Sequence, residues 1–170
     1  MQAILNAPDL RVREGLRDRA MLHLCFSAGL RVSELVGLPL AAVDLQSSPS
    51  IRVLGKGRRE RCLPLWKETA TDLRAWLAVR GDALVPELFL NARGQLMSRS
   101  GFEYLLRKHV RTATERCPAL KNKRVSPHVL RHYVPFLTMS GNVKTFADML
   151  GNCSLCHAET DPCTRHSFPI

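Results

Sequence analysis

Two arginines about a hundred residues apart carry the most chemical information in this 170-residue chain: Arg31, inside Gly29-Leu30-Arg31-Val32-Ser33-Glu34-Leu35, and Arg131, inside Ser126-Pro127-His128-Val129-Leu130-Arg131-His132. A guanidinium is a planar fork of donors that matches two phosphate oxygens. Two such forks on one phosphodiester would neutralise the charge that grows on it under attack. The pair therefore reads as a phosphate clamp suited to cleavage of a nucleic-acid backbone.

A third cation falls between them. The stretch Ile51-Arg52-Val53-Leu54-Gly55-Lys56-Gly57-Arg58-Arg59-Glu60-Arg61-Cys62-Leu63-Pro64-Leu65 alternates β-branched with polar residues, breaks at Gly-Lys-Gly, and resumes an apolar pattern. That pattern predicts a β-hairpin with Lys56 on its turn, where the flanking glycines let the backbone approach a sugar-phosphate closely. Taken alone, such a turn is more often a merely solvated basic loop. The charge distribution argues for more. The net charge of +10 is accounted for by two segments, Arg52 to Arg61 and Arg107 to Arg124, each holding a single glutamate. Arg58, Arg59, Arg61, Lys121, Lys123 and Arg124 in these segments are the expected DNA-binding cations. Clustered cations favour a polyanion, because neutralising phosphates releases condensed counterions. An RNA-binding protein is the bland alternative, but stacking platforms need exposed aromatics and only 6% of the chain is aromatic.

The elements that must position these groups are mostly helical. Gln2 to Ala7 predicts a short helix closed by Pro8, and Leu16 to Leu30 has apolar residues at helical spacing with Gly29 as its stop. A second helix starts at Arg31 or Val32, with Arg31 and Glu34 three apart, so the carboxylate can hold the guanidinium. Thr69 to Val79 predicts a helix with Leu73, Trp76 and Leu77 on one side, and Glu87 to Met97 a second short hairpin around Asn91-Ala92-Arg93-Gly94. Ser98 then caps a helix from Arg99 to Arg116 ended by Pro118. After the basic loop, Ser126 as N-cap and Pro127 as first helical residue mark another helix start, placing His128 and Arg131 on one face. The amides of that helix end add partial positive charge where a phosphate would sit. The expected fold class is mainly α with small β-hairpins.

Both arginine segments resemble the tyrosine recombinase, or phage integrase, family, whose catalytic domain carries GLRxSEL and HxLRH motifs. The resemblance runs from Leu16 to Leu155 and extends to Ser140-Gly141-Asn142-Val143-Lys144-Thr145-Phe146-Ala147-Asp148-Met149-Leu150-Gly151-Asn152-Cys153-Ser154-Leu155, which is similar to the family's SGxDxxTIxxxLGHxSL. It implies a tyrosine recombinase catalytic-domain-like fold over residues 1–155 and a divergent, poorly ordered tail over 156–170. It also implies double-stranded DNA as partner, and attack of a tyrosine hydroxyl on the phosphodiester to give a 3′-phosphotyrosine and a free 5′-hydroxyl, with no metal or other cofactor. In those terms Arg31 and Arg131 bind the non-bridging oxygens, Lys56 protonates the leaving oxygen, His128 hydrogen-bonds the phosphate or assists proton transfer, and Glu34 supports Arg31.

Two departures qualify this. Asn152 stands where the family has His or Trp; its amide donates a hydrogen bond but carries no charge. The nucleophile, expected near Asp161, has no counterpart, since Tyr104 and Tyr133 are the chain's two tyrosines. Tyr133 lies two residues from Arg131, on a different helical face, and Pro135 would kink the helix at Arg131. The sequence therefore predicts a truncated or degenerate domain, weakly active or inactive, lacking the family's separate N-terminal DNA-clamping domain. A non-catalytic DNA-binding remnant, competing or associating with an intact recombinase or with itself, is the alternative.

The remaining features point elsewhere only weakly. Cys153-Ser154-Leu155-Cys156-His157 has the spelling of a c-type haem attachment site, a chemistry of exported proteins. Cys153, Cys156, Cys163 and His166 have the ligand types of a zinc site at short spacing. Cys25, Cys62 and Cys117 read as buried small apolar residues, and His23 and His109 as packing or surface residues. No signal peptide or membrane span is evident, which predicts a cytoplasmic protein.

Overall fold

The computed structural model describes residues 2–55, 60–82, 84–121, 123 and 125–130. The described residues form five named helices and one three-stranded sheet: α1 (Gln2–Leu5), α2 (Arg13–Ala28), α3 (Val32–Val36), β1 (Val43–Asp44), β2 (Ser50–Leu54), β3 (Glu60–Pro64), α4 (Lys67–Arg80) and α5 (Arg99–Arg116), with 3-10 turns at Leu40–Ala42 and Pro118–Leu120. A further helical turn covers 127–130.

Helix α2 is the hub. Ala20, Met21, Leu22, Leu24, Cys25 and Phe26 are all buried, so the helix is apolar around most of its circumference, as a central element must be. Leu73 and Trp76 of α4, Phe102, Leu105, Leu106 and Ala113 of α5, and Ile51 and Val53 of β2 close around it as one core. At its start, Gly15 lets the backbone of Asp9 pass so closely that a Cβ would overlap the Asp9 carbonyl. At its end, Gly29 adopts φ 58°, the left-handed conformation that glycine supplies at least cost.

Polar side chains fix the neighbouring elements. Arg13 reaches the carbonyls of Val79 and Arg80 at 2.9 and 2.8 Å, a cation on the open carbonyls of the α4 C-terminus. Arg80 is itself buried, and its guanidinium donates to the carbonyls of Gly81, Val85, Glu87 and Leu88. It thereby staples an irregular segment that has few ladder bonds of its own. Trp76 Nε1 donates to Leu88 as well, at 3.0 Å.

Several expectations hold at the level of elements. Ser98 caps α5, its Oγ accepting from the Gly101 amide at 3.0 Å, and α5 runs from Arg99 to Arg116 as predicted. Ser126 Oγ accepts from the Val129 amide at 3.3 Å at the start of the 127–130 turn. Others need correction. The hairpin gains a third strand, because Val43 and Asp44 pair with Ile51 and Ser50. The second hairpin folds back around Asn91 to Gly94 as predicted but is reduced to the Leu90–Leu96 bridge and main-chain bonds from Asn91 to Gln95 and from Met97 to Phe89, its turn organised by the Asn91 side chain, which accepts from the amides of Arg93 and Gln95, while Glu87 bridges Pro39. Cys25 is buried, but Cys62 and Cys117 are only half-buried. Cys62 pairs with outward-facing Arg52, and Cys117 caps the end of α5.

Buried ion pairs are the largest surprise. Asp18, 2% exposed, accepts from Arg17 Nε at 2.9 Å and Nη2 at 2.6 Å, and lies 2.8 Å from His109 Nε2. Asp72 binds Arg19 Nε at 2.9 Å and sits 3.2 Å from His23 Nδ1. His23 and His109 are thus buried members of polar networks joining α2 to α4 and to α5. Burial above all, with Arg19 adding to it, holds the His23 imidazole below its ordinary pKa despite Asp72 and Glu68 nearby.

Candidate functional site

Arg31 is placed by two constraints of local sequence. Gly29 ends α2 with a left-handed turn, and buried Leu30 pins the chain to the core. Arg31 then takes an extended conformation (φ −68°, ψ 150°) as the N-cap of α3, and the helix proper begins at Val32. Glu34, at the third helical position, reaches back so that its Oε2 accepts from the Arg31 amide at 2.8 Å, which satisfies an amide at the helix start.

The same carboxylate holds the Arg31 side chain. Glu34 Oε1 accepts from Arg31 Nη1 at 3.0 Å, while Oε2 also accepts from Arg61 Nη2 at 2.9 Å. The Glu34 side chain is 8% exposed, that of Arg31 51% and that of Arg61 36%. The carboxylate is therefore a buried anchor beneath two half-exposed guanidinium groups. Burial alone would push the Glu34 carboxyl up, but the Arg31 amide, the Arg31 guanidinium and Arg61 together outweigh it and hold the carboxyl below its ordinary value. The Arg31 Nε and Nη2 donors have no protein partner among the described residues, leaving a fork able to take an external anion.

The hairpin meets this cluster through its inner face. In the β2–β3 register Arg61 lies opposite buried Val53, whereas Arg52 and Leu54 point outward. Arg52 approaches Glu60 at 4.0 Å across that outer, exposed face, a weak pair. Strand β2 ends at Leu54 and β3 begins at Glu60; the predicted turn residue Lys56 lies between them, outside the described residues. A cleft of about 330 Å³ opens between α3 and β2, with Ser33, Glu34, Gly37, Arg52, Val53 and Leu54 on its walls.

The other candidate residues are more dispersed. His128 is exposed on the 127–130 turn, whose Leu130 is buried in the core. Lys121 and Lys123 are exposed in the loop before it. Lys56, Arg58, Arg59, Arg124, Arg131, Tyr133 and Asn152 lie outside the described residues, as do the four residues of the zinc reading and the haem-like segment. Tyr104 is exposed on α5 beside Arg107, Lys108 and Arg111. The structure thus brings together Arg31, Glu34 and Arg61. The Arg61–Glu34 pair escapes a reading of the sequence because it joins residues 27 apart; strand alternation was the available signal, since residue 61 falls on the same face as the apolar positions of β3. No helix among the described residues is long and apolar enough to cross a membrane, and no group of three or more metal-ligand side chains gathers among them.

Known proteins share both the sequence and this fold. The phage integrase family pattern matches residues 1–157. Tyrosine recombinase XerC of Myxococcus xanthus is 38% identical over 164 residues, covering 90% of this chain and 52% of that protein. Tyrosine recombinase XerD of Xanthomonas axonopodis pv. citri is 37% identical over 169 residues, covering 91% and 53%. The chain spans about half the length of these curated relatives. Among solved structures, the XerA recombinase superposes with a TM-score of 0.68 at 26% identity, over 91% of this chain and 55% of that one. A post-cleavage complex of the XerH site-specific recombinase with its difH substrate gives the same TM-score at 20% identity, a likeness of fold, over 91% of this chain and 45% of that one. With its arginine motif, helical architecture and small antiparallel sheet, this chain belongs to the phage integrase family of tyrosine recombinases.

Proposed function

We propose that residues 1–155 form the DNA-binding catalytic-type domain of a site-specific recombinase, acting on double-stranded DNA. The observation that carries this reading is the half-exposed Arg31 guanidinium, which is seated on buried Glu34 and whose Nε and Nη2 have no partner among the described residues. In the proposed arrangement Arg31 and Arg131 grip the non-bridging oxygens of one phosphodiester and stabilise charge as it develops there. Lys56 donates a proton to the leaving 5′ oxygen, and His128 and the Asn152 amide hydrogen-bond the phosphate. The basic residues Arg58, Arg59, Lys121, Lys123 and Arg124 add sequence-independent affinity. The family chemistry needs no metal, and none enters these steps.

Strand cleavage also requires a nucleophile held within reach of phosphorus. Residues 134–170 hold no tyrosine, Tyr104 lies on the exposed face of α5, and Tyr133 is the remaining phenol. We therefore read the chain as a DNA binder in which cleavage is weak or lost, with residues 156–170 divergent from the family. The same observation favours the second reading, a non-catalytic protein that occupies recombination sites and competes or associates with an intact recombinase or with itself. Incubation with a nicked suicide duplex carrying a site from a related element, followed by denaturing electrophoresis, separates the two. A covalent protein–DNA band that disappears in Tyr133→Phe or Tyr104→Phe identifies a surviving nucleophile. Salt-sensitive binding without a band supports the non-catalytic reading. Absence of duplex binding at low salt refutes both.

A further inference from the structure

In the sequence, Arg61 belongs to a basic run and invites assignment as one more phosphate contact. Its place in the sheet argues otherwise. Arg61 sits opposite Val53, which is 2% exposed, so the strand pleat turns its side chain toward α3 and away from the outer face that bears Arg52. There its Nη2 meets Glu34 Oε2, the oxygen that also accepts from the Arg31 amide. One buried carboxylate thus serves three donors from two elements.

We propose that Arg61 is a positioning residue: it locks the β2–β3 hairpin to Glu34 and thereby fixes Glu34 as the seat of Arg31. Two consequences follow from charge and reach. With Arg31 alone, Glu34 would cancel the guanidinium, leaving little attraction for a phosphate; with Arg61 added, the three groups retain one net positive charge. The contact also ties β3, at its second residue, to the Arg31 cluster. Arg61 would therefore act on the phosphate through Glu34 and Arg31. This inference rests on the proposed function for its DNA consequence only.

The test uses the full chain in two measurements. The first needs no DNA: the Glu34 carboxyl carbon is followed by NMR against pH in wild type, Arg61→Gln and Arg61→Lys. Arg61→Gln should raise the Glu34 pKa, with Arg61→Lys restoring most of the difference; an unmoved Glu34 titration in Arg61→Gln overturns the inference. The second is a double-mutant cycle with Glu34→Gln in duplex binding at several salt concentrations. Arg61→Gln should weaken binding about fivefold, and its effect should vanish in the Glu34→Gln background. Equal losses in both backgrounds, with the salt slope reduced by about one, would make Arg61 a direct phosphate contact and overturn the proposal. Wild-type protein that binds no duplex would count against the proposed function, and the Glu34 titration would still decide the role of Arg61. If Arg61→Gln does not fold, Arg61→Lys carries both measurements, with smaller shifts of the same sign required.

Discussion

Replacing Asp18 by asparagine removes one charge and almost no volume from the centre of the fold, and the structure allows its cost to be worked out. Asp18 is 2% exposed and receives Arg17 through Nε and Nη2, with His109 Nε2 at 2.8 Å on its other oxygen. Arg17 is itself buried, and its Nη1 also donates to the Leu90 carbonyl at 3.1 Å. The asparagine amide keeps one acceptor oxygen, but it leaves the buried guanidinium without a counter-ion and puts an NH₂ group against donors. Removing one partner of a buried pair costs about 3–5 kcal/mol, most of it the stranded charge. Against a total stability of about 5–15 kcal/mol for a domain, that is a large fraction. Urea denaturation followed by circular dichroism should show the midpoint falling with the m value unchanged. The double variant Arg17→Met with Asp18→Leu should lose less than Asp18→Asn alone, because no unpaired charge remains. A loss below about 1 kcal/mol for Asp18→Asn, or a double variant worse than the single, would refute the reasoning.

Other consequences can be checked in the same assays. Arg80→Met deprives four carbonyls of a buried donor and should cost about 3 kcal/mol; a loss within 0.5 kcal/mol, roughly that of a surface substitution, would show that water replaces it. Gly15→Ala drives a methyl into the Asp9 carbonyl, which as backbone cannot swing aside, and should destabilise by about 1–3 kcal/mol in thermal unfolding. His23 has a folded-state pKa below 6.5, so the unfolded chain takes up its proton first as the solution is acidified. Stability should therefore fall as pH drops from 6.5 toward the folded pKa and stop falling below it. His23→Gln should flatten that portion of the urea midpoint against pH, and parallel curves would contradict the assignment. Arg31→Ala should reduce the magnitude of the salt slope of duplex binding by about 0.9 with little change in urea midpoint; an unchanged slope would remove Arg31 from the phosphate contacts.

The helices and their ends were legible in the sequence wherever a local rule governs them. Gly29 as a left-handed stop, Ser98 as a side-chain cap and Ser126 before Pro127 each act within four residues, and each stands where predicted. Strand β1 was not legible, since two residues have no periodicity to read, and they pair only because Ile51 and Ser50 offer an edge. The buried networks were hidden for a related reason. Asp18 and His109 are 91 residues apart, and in sequence each looks like a surface polar residue on a helix. At the site, the Arg31–Glu34 pair was legible because three residues separate them on adjoining positions of a helix start. The Arg61–Glu34 contact was not legible, as a run of basic residues conceals the alternation that sends every second side chain inward.

The geometry around Glu34 bears on why an arginine meant for solvent is held so firmly. A free arginine side chain carries about 2 kcal/mol of rotamer entropy, lost when it grips a phosphate. Here Nη1 is already fixed on Glu34, the Arg31 backbone is fixed by the same carboxylate, and the carboxylate is fixed again by Arg61. Much of that ordering is therefore met during folding, which under the proposed function would improve affinity for a phosphate without any added contact. The arrangement also separates two properties that a surface arginine would confound. Loss of Glu34 should slacken Arg31 without removing its charge, so Glu34→Gln should lower affinity while the salt slope stays near that of wild type. Loss of Arg31 removes both. A Glu34→Gln variant whose slope falls together with its affinity would show that the carboxylate supports a charge count and does not restrain a side chain.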